Sequence, residues 1–356
     1  MRIAVDARTL NYPLTGIGRY TYNVLKQLLT HQEHKWFIYS ETRIQLDLPD
    51  GEHIQYRYLE KKWPLFSSLY SQLVFPAWAR KDAVDSFWSP GQHLPLLLPS
   101  KIKAIVTMHD LVWHRYPETM SKRARLLDQY LIPASLNKAD HILSVSGNTR
   151  NELINVLGIS PQSITVTHLA PSPLPAGQEP VLLPELQDTP FILFVGTLEP
   201  RKNLNHLLKA YAKLINKYPN YKLVICGLAG WLDTPLQNIL AELNLEERVI
   251  ITGYVSEQQL HGLYQHTRVL AMPSLYEGFG LPALEAMAYQ KPVVVTPETE
   301  INQFESALIN RCPDCGVDSI YSALDSALSS PDKYGKPLPL NWQATSAKTL
   351  QQLARA

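Results

Sequence analysis

The chain has 356 residues, enough for two domains of ordinary size. Its 33 basic and 32 acidic side chains nearly cancel, so no global field recruits nucleic acid, and none is expected as a partner. Three cysteines do not make a disulfide scaffold, no run approaches the ~20 apolar residues of a membrane helix, and the charged N-terminus lacks the apolar core of a signal peptide, so a cytoplasmic protein is expected.

Residues 3–5 read as a short strand, followed by a loop from Asn11 to Gly18 and a helix to about Thr30. The glycines of that loop, Gly16-Ile-Gly18, lack the third glycine of a dinucleotide fingerprint, so the pattern fits a plain tight turn as well as a phosphate loop. Arg19 at the helix start is placed to meet phosphate or an acceptor. Residues 36–39 and 53–59 give two more strands. Residues 61–81 then mix Trp63, Phe66, Tyr70, Phe75 and Trp78 with Lys61, Lys62, Arg80 and Lys81. That composition suits an amphipathic patch on a membrane surface. It also suits a helix, about 66–80, that packs its aromatics into a core. Residues 84–88 and 104–108 read as central strands, and the second runs into His109-Asp110. Ligands of parallel α/β sheets bind outside the carboxyl ends of strands, which places His109 well. A helix over 121–138, a strand over 140–145, a helix capped by Ser146 and a strand over 163–167 complete the first half.

Prolines 171, 173, 175, 180, 184 and 190 mark a linker, and the same alternation restarts after it. The expected domains are 1–172 and 173–340, with 341–356 a terminal helix packing back on the first. Residues 191–195 form a strand, and Gly196-Thr-Leu-Glu-Pro-Arg-Lys-Asn203 a loop into a helix that runs to about Tyr218. Arg201 and Lys202 just before a helix N-terminus oppose its dipole, a local cost that an anion bound between them would offset. Strands follow at 222–226 and 249–251, the latter leading into Gly253-Tyr254-Val255, and Ser256 caps a helix. The stretch after Thr296 reads as a less regular tail. Within it Cys312-Pro-Asp-Cys315 is a single CxxC, weak evidence for zinc, and no metal is expected.

Between strands at 268–272 and 292–296 lie two carboxylates, Glu277 and Glu285. If both were helical, eight steps of ~1.5 Å would separate them by about 12 Å. Paired glycosidase carboxylates are about 5–9.5 Å apart. The two therefore suit different parts of one ligand better than the two sides of one bond. On residue type alone, a loop carboxylate and a solvated helix face is the plainer reading of the two. Gly278 and Gly280 allow close backbone approach, and a helix starting near Phe279 offers N–H groups to an anion. Two doubly wound halves leave a cleft between them, and the loops carrying His109, Gly16, Gly18, Arg201, Lys202, Glu277 and Glu285 all follow strands, so all can face it.

With these residues in place the chain resembles the retaining glycosyltransferases of family 4, with the α/β GT-B fold of two Rossmann-like domains facing a cleft, and among them bacterial mannosyltransferase-like members. The resemblance runs through Asp6-Ala-Arg8, Gly16-Ile-Gly-Arg-Tyr20, Thr107-Met-His-Asp-Leu111, Ser144-Val-Ser146, Gly196-Thr-Leu-Glu-Pro-Arg-Lys-Asn203, Gly253-Tyr-Val-Ser256 and Glu277-Gly-Phe-Gly-Leu-Pro-Ala-Leu-Glu285. It implies that Lys202 and Arg201, with backbone around Gly16 and Gly18, hold the diphosphate of a nucleotide-sugar donor. Glu277 would bind the sugar hydroxyls beside the N–H groups of Gly278, Phe279, Gly280 and Leu281. Glu285 would bind the ribose, and the base would rest near Val255. His109 would lie beside the anomeric centre, with Arg19 and Asp110 also on the acceptor side. No cofactor or metal is implied, since Arg and Lys supply the charge stabilisation. Some relatives carry an additional Arg where Thr197 stands, and the stretch Pro297-Glu-Thr-Glu-Ile301 departs from the usual small-residue loop.

The expected function is hexose transfer, with GDP-mannose the favoured donor and a UDP-sugar the alternative. The acceptor would be a glycan or lipid-linked glycan of surface polysaccharide synthesis, reached from the cytoplasm with peripheral contact at the inner membrane face. A non-catalytic scaffold that binds nucleotide sugar is the competing class. A nicotinamide dehydrogenase would need the missing third glycine and an acidic residue at the expected strand end.

Overall fold

In a computed structural model, residues 1–59, 67–174, 177–230, 235–330, 335–336 and 338–355 are described. The chain divides into two compact units, 1–169 with 340–356, and 170–339.

In the first unit β1 (Arg2–Asp6) is followed by α1 (Gly16–Leu28), β2 (Lys35–Tyr39), β3 (Ile54–Arg57), α2 (Ser67–Lys81), β4 (Ser86–Ser89) and β5 (Lys103–Met108). Then come α3 (Val112–Arg115), α4 (Lys122–Lys138), β6 (His141–Ser144), α5 (Gly147–Asn155) and β7 (Ile164–Val166). Among the described residues the strands form one parallel sheet in the order β3-β2-β1-β4-β5-β6-β7. The strands are apolar along their length rather than alternating, because helices cover both faces. Ile3, Ala4 and Val5 are fully buried at the centre. The order reverses between β1 and β4, and this switch point is where an open parallel sheet leaves a crevice beyond its strand ends.

The second unit repeats the plan. Its elements are β8 (Phe191–Val195), α6 (Leu204–Leu214), β9 (Lys222–Cys226), α7 (Leu236–Glu242), β10 (Val249–Gly253) and α8 (Glu257–His266), then β11 (Val269–Met272), α9 (Leu281–Ala288), β12 (Val293–Val295), β13 (Ile309–Arg311) and α10 (Val317–Ser329). The sheet is again parallel, in the order β10-β9-β8-β11-β12-β13, with its reversal between β8 and β11. The chain then returns to the first unit, where α11 (Trp342–Leu353) packs on α1, β4 and β5. Ser346 of α11 donates to the Val24 carbonyl. Polar caps begin several helices: Ser121 accepts from Ala124, Ser146 from Thr149, Asn341 from Ala344, and Ser256 forms a capping box with Gln259.

Several expectations need correction. Gly16 and Gly18 lie in the first turn of α1, which starts directly after Thr15, rather than in a preceding loop. Gly18 answers a packing need, since a Cβ there would lie 3.2 Å from both Leu14 Cδ2 and the Thr9 carbonyl. The helix expected near Phe279 begins at Leu281, because Gly280 turns the chain with φ 109° and Pro282 fits only the first turn. The stretch after Thr296 is regular where a tail was expected: it contributes β13 and the 13-residue α10, whose Ile320, Ala323, Leu324, Ala327 and Leu328 are buried at helical spacing. The helix α7 was not anticipated. Within 61–81, Lys61, Lys62, Trp63 and Phe66 lie outside the described residues. Tyr70 and Phe75 are fully buried, and Trp78 stacks on Phe75 at 5.8 Å and meets Tyr39 edge-on at 5.4 Å. The described aromatics of that segment belong to the core, not to a membrane face.

Candidate active site

In the second unit the loops after β8 and β11 meet at the strand reversal. The β8 loop passes Gly196, makes one 3-10 turn at Pro200–Lys202, and enters α6 through Asn203, which is left-handed with φ 56°. The Asn203 amide holds that turn by donating to the carbonyls of Pro273 (3.0 Å) and Cys315 (2.9 Å). The Leu275 N–H donates to the Arg201 carbonyl at 2.9 Å, and Arg201 Nη1 donates to the Tyr276 carbonyl at 2.7 Å. The Glu277 N–H in turn donates to the Glu298 carbonyl at 2.9 Å. Two backbone bonds, together with the side chains of Asn203 and Arg201, thus hold these loops in place.

The side chains converge on one carboxylate. Lys202 Nζ lies 2.5 Å from Glu277 Oε1 and Arg201 Nη1 lies 3.2 Å from Oε2, while Ser274 Oγ donates to Oε1 at 2.6 Å. Burial alone would raise the Glu277 carboxyl, but Lys202 and Arg201 outweigh it and pull it down to about 2. The carboxylate is ionised at any neutral pH. The anion that offsets the cationic pair in this structure is therefore Glu277. Arg201 and Lys202 sit in the 3-10 turn just before α6, the place expected for them from the sequence.

Glu277 precedes α9, so the all-helical separation of about 12 Å does not apply to this pair. Glu285 is on α9 but is not a solvated face: it is buried, and its Oε2 accepts from Tyr264 of α8 at 2.8 Å. Gly278, Phe279 and Gly280 form the tight turn between, with Phe279 buried against Phe304 at 6.2 Å. A Cβ on Gly280 would lie 2.7 Å from Met272 Cε. Leu281 opens the helix. Thr197 is half-buried beside Gly196, in the loop that carries Arg201 and Lys202. Val255 follows the edge strand β10, two strands away from β8. The structure thus brings Arg201, Lys202 and Glu277 into direct contact. It engages Glu285 with a different partner and sets Val255 at the sheet edge.

In the first unit His109 follows β5 and is buried, with Tyr20 edge-on at 5.0 Å. Its Nε2 donates to the Pro90 carbonyl at 2.7 Å. Burial pushes its pKa below the ordinary value, against the opposing pull of that hydrogen bond and of Asp110, so the ring is neutral with Nδ1 as the acceptor. Asp110 Oδ1 accepts from Gln92 at 3.3 Å and from the Val112 N–H at 3.3 Å. Arg19 is buried in the first turn of α1, next to Gly18, while Gly16 is exposed at the helix start.

Sequence reasoning overlooked three contributors: the loop 89–93 after β4, which meets His109 and Asp110, Tyr264 and Ser274. The strand-end rule would have found the first, since Ser89 closes a central strand. Tyr264 gave no signal, because its role depends on α8 packing beside α9.

Residues 14–170 match the family described as Glycosyltransferase Family 4, and residues 182–335 match Glycosyl transferases group 1. The chain is 33% identical over 323 residues to O-antigen chain mannosyltransferase B of Escherichia coli, covering 85% of this chain and 84% of that protein. Among solved structures, sucrose-phosphate synthase from Thermosynechococcus elongatus aligns with a TM-score of 0.72 at 17% identity, over 99% of this chain and 94% of that one. HepE of Anabaena, solved with UDP and glucose, aligns with a TM-score of 0.70 at 14% identity, over 100% and 99%.

Proposed function

Since the chain belongs to the family 4 glycosyltransferases and has the GT-B fold, we propose that it moves mannose from GDP-mannose onto a glycan or lipid-linked glycan in surface polysaccharide synthesis, with retention at the anomeric carbon. The choice of mannose rests on the O-antigen mannosyltransferase relative. The observation that carries the chemistry is the contact of Arg201 and Lys202 with the ionised Glu277 at the β8–β11 reversal.

In this reading Arg201 and Lys202 bind the donor diphosphate and stabilise the charge it gains as leaving group, which is electrostatic catalysis by groups already in place. Glu277 accepts hydrogen bonds from the sugar hydroxyls, Glu285 binds the ribose, and His109 contacts the transferred sugar. Backbone at Gly16, Gly18, Thr197, Val255 and 278–281 completes the donor contacts, while Arg19 and Asp110 serve the acceptor. The C1–O bond to the diphosphate breaks, the acceptor oxygen bonds to C1 on the same face, and the departing phosphate takes the acceptor proton. The two cations supply the charge that a metal supplies elsewhere, so turnover should survive EDTA.

The protein works at the inner face of a membrane in this reading. No described helix is long and apolar enough to cross one. Support for peripheral contact comes from α4, where Leu126 (60% exposed) and Tyr130 (71%) stand beside Lys122, Arg123 and Arg125.

The test is thermal unfolding with GDP-mannose, GDP-fucose, UDP-glucose, UDP-galactose and UDP-N-acetylglucosamine, with Glu285→Ala alongside. Saturating one donor at about 100 times its Kd stabilises the native state by roughly 2.7 kcal/mol. A shift with GDP-mannose that the variant loses is the expected result. A shift with UDP-sugars alone reassigns the donor. A shift with none, and no sugar released in an overnight incubation, refutes the transferase reading.

A further inference from the structure

The first unit holds a pocket of 320 Å³ outside the carboxyl ends of β1 and β4, where its strand order reverses. Parallel sheets bind ligands in that crevice, and the volume lies within the roughly 300–1,000 Å³ of small-molecule sites. The roles assigned above do not use it.

Its polar groups are matched in charge. Arg8 meets Asp6 through two bonds, Nη2 to Oδ2 at 2.7 Å and Nε to Oδ1 at 2.9 Å. His93 Nε2 meets Asp128 Oδ1 at 2.9 Å. A phosphate entering here would face two carboxylates and would have to displace Asp6 to gain the guanidinium. A neutral polyol has no such conflict, because each hydroxyl both donates to a carboxylate and accepts from a guanidinium or amide. Tyr12, which is 56% exposed, adds an aromatic face on which the C–H side of a sugar ring can rest. The pocket is also tied to His109. Gln92 lines it while donating to Asp110, and the Pro90 carbonyl of the same loop accepts from His109.

We propose that this pocket binds a neutral hexopyranose, the acceptor's terminal sugar, with Asp128 and His93 reading its hydroxyls and Tyr12 its apolar face. The assignment rests on the transferase reading above and narrows it: the group that enters here is an uncharged sugar, not a sugar phosphate.

The test uses the full chain and two probes, methyl α-mannopyranoside and mannose 6-phosphate, followed by saturation-transfer NMR, with GDP-mannose binding measured separately on the same protein. The mannoside should bind in the millimolar range, a few kcal/mol, as single sugars that make few contacts do. Asp128→Ala should weaken it about tenfold, the worth of a hydrogen bond to a charged group, and Tyr12→Ala about threefold. Mannose 6-phosphate should bind more weakly than the mannoside. Tyr12→Ala alters an exposed side chain and Asp128→Asn keeps the side-chain shape, so a fold lost in Asp128→Ala still leaves two variants to read. Equal mannoside binding in wild type and the folded variants, absence of mannoside binding in the wild type, or tighter binding of mannose 6-phosphate overturns the proposal. Absence of GDP-mannose binding alone overturns only the donor reading.

Discussion

Replacing Glu277 by Gln keeps the side chain's shape and removes its charge. That charge lies 2.5 Å from Lys202 Nζ and 3.2 Å from Arg201 Nη1, with the three side chains 13%, 15% and 12% exposed. The variant leaves two cations in a nearly dry loop. Removing one partner of a buried ion pair costs about 3–5 kcal/mol. Residual exposure, and Glu199 at 3.5 Å from Arg201, reduce the cost to about 2–3 kcal/mol at pH 7. The sign of the pH dependence follows from the carboxyl being held at about 2 against an ordinary 4.5. A carboxyl held low gives stability that is complete above its unfolded pKa and lost as pH falls through its folded one. From pH 7 to 3.5 the wild type loses roughly 1.4 kcal/mol from this group, while the Gln variant loses none of it. The gap between them should narrow to about 1 kcal/mol. Hydrogen exchange read on the amides of β8, β9 and β11 reports the second unit apart from the first. The slowest of them should exchange roughly 30- to 150-fold faster in Glu277→Gln at pH 7, and only about fivefold faster at pH 3.5 after correction for intrinsic rates. A ratio near one at pH 7, or a ratio that does not shrink on acidification, would refute the electrostatic account.

Three further outcomes are expected. Tyr264→Phe removes a 2.8 Å donor from a buried carboxylate, which should cost about 1.5–3 kcal/mol of second-unit stability and weaken GDP-mannose by about tenfold in a calorimetric titration. An unchanged affinity would show that Tyr264 does not position Glu285. Gly227→Ala puts a Cβ 2.0 Å from the Gly196 carbonyl oxygen at a backbone φ of 155°, so β9 should lose its exchange protection, with destabilisation above about 4 kcal/mol. His109 is held neutral by burial, so kcat/KM for donor turnover should show no ionisation from it at or above its ordinary 6.5; a limb there that vanishes in His109→Gln would count against the assignment.

The sheets were legible because their strands are short apolar runs bounded by turn residues, a pattern that parallel sheets impose locally. Arg201, Lys202 and Glu277 were legible for a similar reason: each follows a strand, and strand ends meet at the reversal of the sheet. The stretch after Thr296 was harder. Its α10 begins after Gly316 with Asp318 as the one charge in the first turn, and its apolar stripe is diluted by Ser and Ala, so periodicity was present but weak. Glu285 shows a different limit. A Glu on a helix reads as solvent-facing by default, and only the packing of α8 against α9, which brings Tyr264 to it, reveals a buried carboxylate. The turn of 3-10 before α6 is a third case. It depends on Asn203 reaching two carbonyls, one of them from Cys315, more than a hundred residues away.

The ionisation states constrain the proposed chemistry further. A general acid or base works best with a pKa near the working pH. Glu277 at about 2 is far from it, and its oxygens are already engaged by Lys202, Arg201 and Ser274, which makes it a poor proton acceptor and a poor nucleophile. His109 has committed Nε2 to the Pro90 carbonyl, and burial disfavours the imidazolium that proton capture would create. Neither group is therefore suited to take the acceptor proton. The departing phosphate is basic and, in the proposed geometry, sits where the new bond forms. In the proposed mechanism Arg201 and Lys202 lower the energy of that phosphate as it gains charge, and Glu277, besides meeting the sugar hydroxyls, holds both cations in position without neutralising either through proton transfer.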